Sequence, residues 1–208
     1  MHSNNSSSNQ DKSFIEQARR AQIVEATIGV LAEYGYVNTS FSKIAKKAGI
    51  SASLISYHFT NKEELTEEVY ATINQQRTAH VGERIALATT ASDKLRGALE
   101  ADLTFMGARP ELFQALIEIL FVARGKDGAP LHREDAVHAG FVPIADILKQ
   151  GQASGEFGQF DVFNTAIIID SARDGFLGQL AGHPEFNLKQ FTRTLIDTAF
   201  TIVKKEQA

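Results

Sequence analysis

Apolar residues recur at helical spacing along almost the whole chain, and the alternation that marks β-strands is nearly absent. The pattern is densest between Thr39 and Phe59. There Phe41, Ile44, Ala45 and Ala48 fall at i, i+3, i+4 and i+7, one stripe of a short helix. Thr39 or Ser40 can cap it by accepting a hydrogen bond from a free first-turn N–H. Gly49 stands where the chain leaves this helix, a position that favours positive φ. Ser51 then caps a second helix whose inward side is Ile55, His58 and Phe59. Its outward set is Ala52, Ser53, Ser56 and Tyr57, with Leu54 at the margin. Ala45 is small where two helices cross. The spacing predicts a helix-turn-helix, a motif whose second helix enters the DNA major groove.

The flanking elements follow from caps and stripes. Ser13 with Glu16 makes a capping box for a first helix, buried through Ile15, Ala18, Ile23, Ala26, Thr27, Val30 and Leu31 and ended by Gly35. Thr60 with Glu63 repeats the box before a fourth helix carrying Leu65, Val69 and Ile73 on one face. Further helices are expected over Ser92 to Met106, Glu111 to Arg124 after Pro110, about Leu131 to Ala153, Asp161 to Ala181 and Asn187 to Lys205. The expectation is an all-α protein of about nine helices. A polar, disordered tail covers 1–12, a helix-turn-helix domain 13–60, and a larger helical body 61–208. The last two helices are apolar on two sides: Val162, Ala166, Ile169, Phe176 and Leu180 form one stripe beside Phe163, Ile167 and Leu177. In the final helix Leu188, Phe191, Leu195 and Ile202 run beside Ile196, Phe200 and Val203. A helix apolar all round is buried on both sides, so one side implies a partner.

Charge sharpens this division. The chain carries −4 overall, yet Lys12 to Lys62 holds seven basic and three acidic residues, and everything from Glu63 onward holds 14 basic against 21 acidic. A basic module thus joins an acidic body, as a phosphate-facing end requires. There are no cysteines, so thiolate metal sites, Cys nucleophiles and disulfides are excluded. No apolar run is long enough to span a membrane, and the polar first dozen residues lack the apolar core of a signal peptide. A cytoplasmic protein is expected.

The runs IAKKAGIS and SYHFTNKEEL, with RRAQIVEATIGVLAEYGYVNTS upstream, resemble the N-terminal domain of the tetracycline-repressor (TetR) family over Ala18 to Leu65. The resemblance implies that Ala52, Ser53, Leu54, Ser56 and Tyr57 read or anchor DNA. Serine hydroxyls suit several bases, and Ala52 and Leu54 suit thymine methyls. Many family members carry tyrosine where this chain has Ser56, which withdraws one customary phosphate contact. Thr39, Lys43, Lys46, Lys62, Arg19 and Arg20 are the candidate phosphate contacts, Thr39 and Lys62 standing at helix starts. Lys47 is a weaker candidate, and the spacing of His58 makes it structural. The resemblance also implies a homodimer built on the last two helices, through Phe163, Ile167, Leu177, Phe191, Leu195 and Ile202. It further implies a repressor released from a palindromic operator by a small, largely apolar ligand. Candidate pocket walls are Phe105, Met106, Phe113, Leu116, Leu120, Phe121, Phe141, Ile144 and Phe176, with Asp170 beside them.

Other chemistry is sparse. Glu118 shares a stripe with Glu111, Gln114 and Val122 and reads as a solvated helix edge. Asp170, Arg173 and Asp174 interrupt an apolar run; a pocket, an interface and a surface pairing at i, i+3 all fit. His132 and His138 are six apart, poor spacing for a shared metal. No phosphate-binding glycine loop or catalytic triad stands out, so neither an enzyme nor a cofactor is expected. The alternative reading is a DNA-binding regulator with a filled core that answers to a protein partner.

Overall fold

The computed structural model describes residues 5–131, 133–182 and 185–204; for 5–13, 133–140 and 177–182 only the backbone is described. Among the described residues the chain forms nine α-helices and no strand, with one isolated bridge between Arg124 and Pro130. None of these helices is long and apolar enough to cross a membrane.

Helix α1 spans Asn5–Asn38 and is broken at Gly35, whose φ of 74° and ψ of 166° lie outside the helical region. It begins upstream of Ser13, so Ser13 and Glu16 lie inside it and open nothing. Lengthening an existing helix fixes one residue per hydrogen bond, and no glycine or proline in 5–12 stops it. Helix α2 is Phe41–Ala48, with Ser40 rather than Thr39 as its cap: Ser40 Oγ accepts from Lys43 N, and Gly49 ends it at φ 68°. Helix α3 is Ala52–His58, where Ser51 Oγ accepts from Leu54 N. Helix α4 is Lys62–Ala86. Its cap lies one residue later than expected. Asn61 Oδ1 accepts from Glu64 N at 2.8 Å and the Glu64 carboxylate accepts from Thr60 N at 2.7 Å, so the box is Asn61 with Glu64.

Helices α5 (Ala91–Ala108) and α6 (Pro110–Ile117) come next, and α6 passes into a π-turn over Glu118–Val122. The expected helix to Arg124 therefore stops early. Helices α7 (Arg133–Ser154), α8 (Val162–Gly182) and α9 (Leu188–Val203) complete the chain.

Contacts divide the protein into two units. The first takes Met1–Ile73 together with Gln114–Leu131, and the second takes Asn74–Phe113 with His132–Ala208. The head is thus not the contiguous 13–60 expected, because α1 packs against the π-turn from far along the chain. Its core is Ile23, Ile28, Leu31, Ile44, Ile55, Phe59, Leu65 and Ile73, all nearly inaccessible. In the second unit α7 packs on α8 and α5, and α9 on α5 and α8.

Candidate nucleic-acid interface and regulatory unit

Helix α3 is short and anchored through one side. Ile55 and Phe59 are buried at 0% and 1% exposure, while Ala52, Ser53, Ser56 and Tyr57 are exposed and Leu54 is half-buried. Tyr57 stands out at 78% exposure. The Ser53 and Ser51 hydroxyls lie 2.9 Å apart, and Ser56 Oγ donates to Ala52 O at 3.2 Å. The exposed face therefore carries polar groups and no charge, and the Ser53 and Ser56 hydroxyls rest on local partners. His58 is half-buried, edge-on to the Tyr57 ring at 5.0 Å, and its buried Nδ1 has no hydrogen-bond partner among the described residues.

The six candidate phosphate contacts separate in the structure. Lys46 is exposed and, among the described residues, unpaired. Arg19 donates to Gln22 Oε1 on its own helix. Lys43 donates to Asn38 O at 2.8 Å and stands 4.6 Å from the Tyr34 ring. Three others are committed inward. Arg20 donates to His58 O at 2.7 Å, pairs with Glu68 at 3.1 Å and lies 4.2 Å over the Phe59 ring. It ties α1 to the end of α3 and to α4. Thr39 is only 4% exposed and its hydroxyl donates to Gly35 O at 2.7 Å. Lys62 donates to Tyr36 O at 3.1 Å above the Tyr36 ring, and burial lowers its pKa. Lys47 pairs with Glu33 at 3.2 Å.

Glu118 is not the solvated edge that its stripe predicts. It is half-buried, and its carboxylate accepts the Tyr36 N–H at 2.7 Å from 82 positions away. No local spacing announces such a partner.

In the second unit the candidate wall residues Met106, Phe113, Phe141, Ile144 and Phe176 are buried at 1–5% exposure. They pack against neighbouring rings: Phe113 to Phe176 at 6.1 Å, Phe176 to Phe191 at 5.7 Å, Phe141 to Phe163 at 5.2 Å. Phe105 is half-buried, 5.6 Å from the His80 ring. Leu116, Leu120 and Phe121 belong to the other unit. Leu116 is buried and Leu120 half-buried, but Phe121 is 70% exposed and walls no interior. The reason is the π-turn, whose i→i+5 bond from Ala123 N to Glu118 O shifts its residues out of α-helical register.

Among the proposed dimer residues, Phe163 is 54% and Ile202 38% exposed; Ile168, also on α8, is 55% exposed. Ile167 is half-buried. Leu195, at 5% exposure, and Phe191, stacked on Phe176, face their own unit instead. The side chains of Leu177 and His138, and all of His132, lie outside the described residues.

Asp170 and Arg173 join an ion cluster that is largely buried, with Asp174 at its exposed edge. Arg173 pairs with Asp102 at 3.0 Å, Asp170 at 2.6 Å and Asp174 at 2.9 Å, and Arg77 makes a two-pronged pair with Asp102. Arg77 and Asp102 sit on α4 and α5, so their part was invisible in the α8 run. The guanidiniums of Arg173 and Arg77 hold the Asp102 carboxyl low against its burial. A separate groove of about 690 Å³ lies along α5 and α9, lined by Arg96, Glu100, Lys189, Arg193, Ile196 and Asp197 among others.

These features define an all-helical protein with a helix-turn-helix head and a second helical unit. The pattern of the tetR family of bacterial regulatory proteins matches residues 23–69, within α1 to α4. A BetI transcriptional regulator from Proteus mirabilis is 34% identical over 82 residues, 39% of this chain and 41% of its own length. The chain thus spans about two fifths of that curated relative. The fatty acid metabolism regulator protein of Bacillus subtilis is 29% identical over 65% of this chain and 69% of its own. Among solved structures, FadR of Bacillus subtilis in complex with stearoyl-CoA shares the fold at a TM-score of 0.77 and 22% identity, covering 90% of this chain and 99% of that one. The chain's likeness to the TetR family is thus shown over residues 23–69, the helix-turn-helix region.

Proposed function

We propose that the protein is a DNA-binding transcriptional regulator: a homodimeric repressor released from an inverted-repeat operator by a small, largely apolar ligand. The observation that carries the DNA-binding part is the exposed face of α3. Ala52, Ser53, Ser56 and Tyr57 are exposed on a short helix whose other side is buried through Ile55 and Phe59. Such a face suits direct reading of base edges. Because it carries no charge, phosphate affinity falls to flanking residues, of which Lys46 is the most available.

Dimerisation is supported by the exposed apolar side chains Phe163, Ile168 and Ile202 on α8 and α9. An isologous pairing through these helices presents two equivalent α3 helices, and two equivalent readers select an inverted repeat. The apolar class of the ligand rests on the aromatic interior of the second unit and on the stearoyl-CoA held by the similar Bacillus subtilis structure. Long-chain acyl thioesters are therefore the first compounds to test. Phe113, Phe176 and Phe191 already fill space against one another. That packing favours, as a second reading, a filled core and a protein partner.

The test begins with selection of duplexes from a random pool and footprinting on the winner. The expected result is an inverted repeat protected on one face. Full affinity for a single asymmetric half-site rejects the dimeric reading. Titration of acyl-CoA with and without that duplex then separates the two effector readings. Linkage demands that a releasing ligand bind more weakly to the DNA-loaded protein, by the factor with which it weakens DNA.

A further inference from the structure

The backbone of Tyr36 is held from both sides by charged side chains from distant parts of the chain. The Glu118 carboxylate accepts its N–H at 2.7 Å, and the Lys62 ammonium donates to its carbonyl at 3.1 Å. The same carbonyl accepts Thr39 N at 3.1 Å, and the Tyr36 hydroxyl donates to Arg124 O at 3.4 Å. Gly35 makes this possible. Its positive φ turns the Tyr36 N–H out of the helical ladder, and a β-carbon there would stand 3.1 Å from the Glu118 carboxylate. A turned-out, buried donor needs an acceptor, and Glu118 is the one present.

The node lies at the entrance to the helix-turn-helix. Thr39 closes back on Gly35 and Tyr36, and the next residue, Ser40, caps α2. Its two charged holders sit on α4 and on Gln114–Leu131, segments of the head whose chain continues into the second unit. Glu118 itself opens the π-turn, whose fifth-residue bond joins Ala123 N to Glu118 O at 2.9 Å. π-Turns are rare and concentrate at functional sites. Rewinding this one to an α-helical ladder would change the register of Glu118 and withdraw its carboxylate from Tyr36.

We propose that Glu118 is a positioning residue for DNA binding: by holding the Tyr36 N–H it fixes the entry to α2, and the winding of the π-turn decides whether it can. The proposal rests on the DNA-binding function proposed for α3.

The test uses the full chain and the duplex that the wild type selects from a random pool. Glu118→Ala should weaken binding about tenfold or more, the loss expected for a hydrogen bond to a charged group, with the salt slope unchanged because no phosphate contact is lost. Glu118→Gln, whose amide oxygen still accepts, should stay within about threefold. Amide exchange at Tyr36 should quicken in Glu118→Ala, and the effect should spread into residues 40–48. Quickened exchange confined to Tyr36, with affinity unchanged, overturns the proposal. If Glu118→Ala does not fold, wild-type exchange decides: Tyr36 should exchange more slowly with the duplex bound, and equal rates overturn the proposal. A wild type that selects no duplex rejects the DNA-binding reading by itself. In that case spread of exchange into α2 still supports the hold of Glu118 on the α2 entry, and confinement to Tyr36 refutes it.

Discussion

Arg173 Nη1 lies 3.0 Å from Asp102 Oδ2, joining α8 to α5 with side-chain exposures of only 7% and 6%. A buried pair of this kind is costly to break singly, because the surviving charge stays desolvated. Arg173→Met leaves three carboxylates facing Arg77 alone and should destabilise the protein by about 3–5 kcal/mol in urea unfolding. The double variant Arg173→Met with Asp102→Leu should lose less than the sum of the two single losses. Additive losses would mean that the pair is not the energetic unit.

Asp170 gives the same cluster a pH dependence. Burial pushes its carboxyl up to about 6, outweighing the opposing pull of Arg173; Asp174 adds to the rise. A raised folded pKa means that this group's contribution is complete below the unfolded value of 3.8 and is lost as pH rises through about 6. Wild-type stability should therefore decline between about pH 4 and 7 relative to Asp170→Asn, by an amount on the order of 2 kcal/mol. Parallel stability–pH curves for the two proteins would refute the assignment.

On the DNA side, Lys46→Ala should lower the salt slope of binding by roughly one unit and weaken all sequences alike. Ser53→Ala or Tyr57→Ala should instead alter which bases are preferred, by about 1–3 kcal/mol at the affected position. Lys62→Ala is the instructive contrast. Since its ammonium holds Tyr36 O, affinity should fall together with the melting temperature, and the salt slope should change little.

Glu156 caps α5 from a neighbouring turn, its carboxylate accepting from Ala91 N at 3.0 Å and Ser92 N at 2.9 Å. These bonds hold its pKa at about 2, below the ordinary 4.5. A depressed carboxyl contributes stability above the unfolded value and loses it as pH falls toward the folded one. The melting-temperature deficit of Glu156→Ala should accordingly be steady near neutral pH and shrink from about pH 4.5 downward. A deficit that persists unchanged at about pH 2.5 would point to packing.

Exposed and buried apolar positions on the last helices should behave differently. Ile168→Glu, at a site 55% exposed, should leave the fold intact and shift sedimentation toward a monomer. Leu195→Ala, at 5% exposure, should instead cost about 2–5 kcal/mol of stability. Unchanged sedimentation of Ile168→Glu would place the dimer interface elsewhere.

The sequence by itself determined the helix-turn-helix and which face of α3 is free. Ser40, Ser51, Gly49 and the stripe of Phe41, Ile44 and Ala45 act on neighbours three or four residues away, and such distances are written in the spacing. It also determined the helical class and the basic head on an acidic body. Tertiary structure alone decided what the charged side chains do. Arg20, Lys62 and Thr39 looked outward as single residues, yet each found a backbone carbonyl inside the fold. Glu118 looked solvated, yet meets Tyr36 across 82 positions. Arg77 and Asp102 turned a three-residue pattern on α8 into a largely buried cluster. Local order arises from bonds between near neighbours, whereas a charge settles wherever folding brings its counterpart, and that place has no periodicity to read.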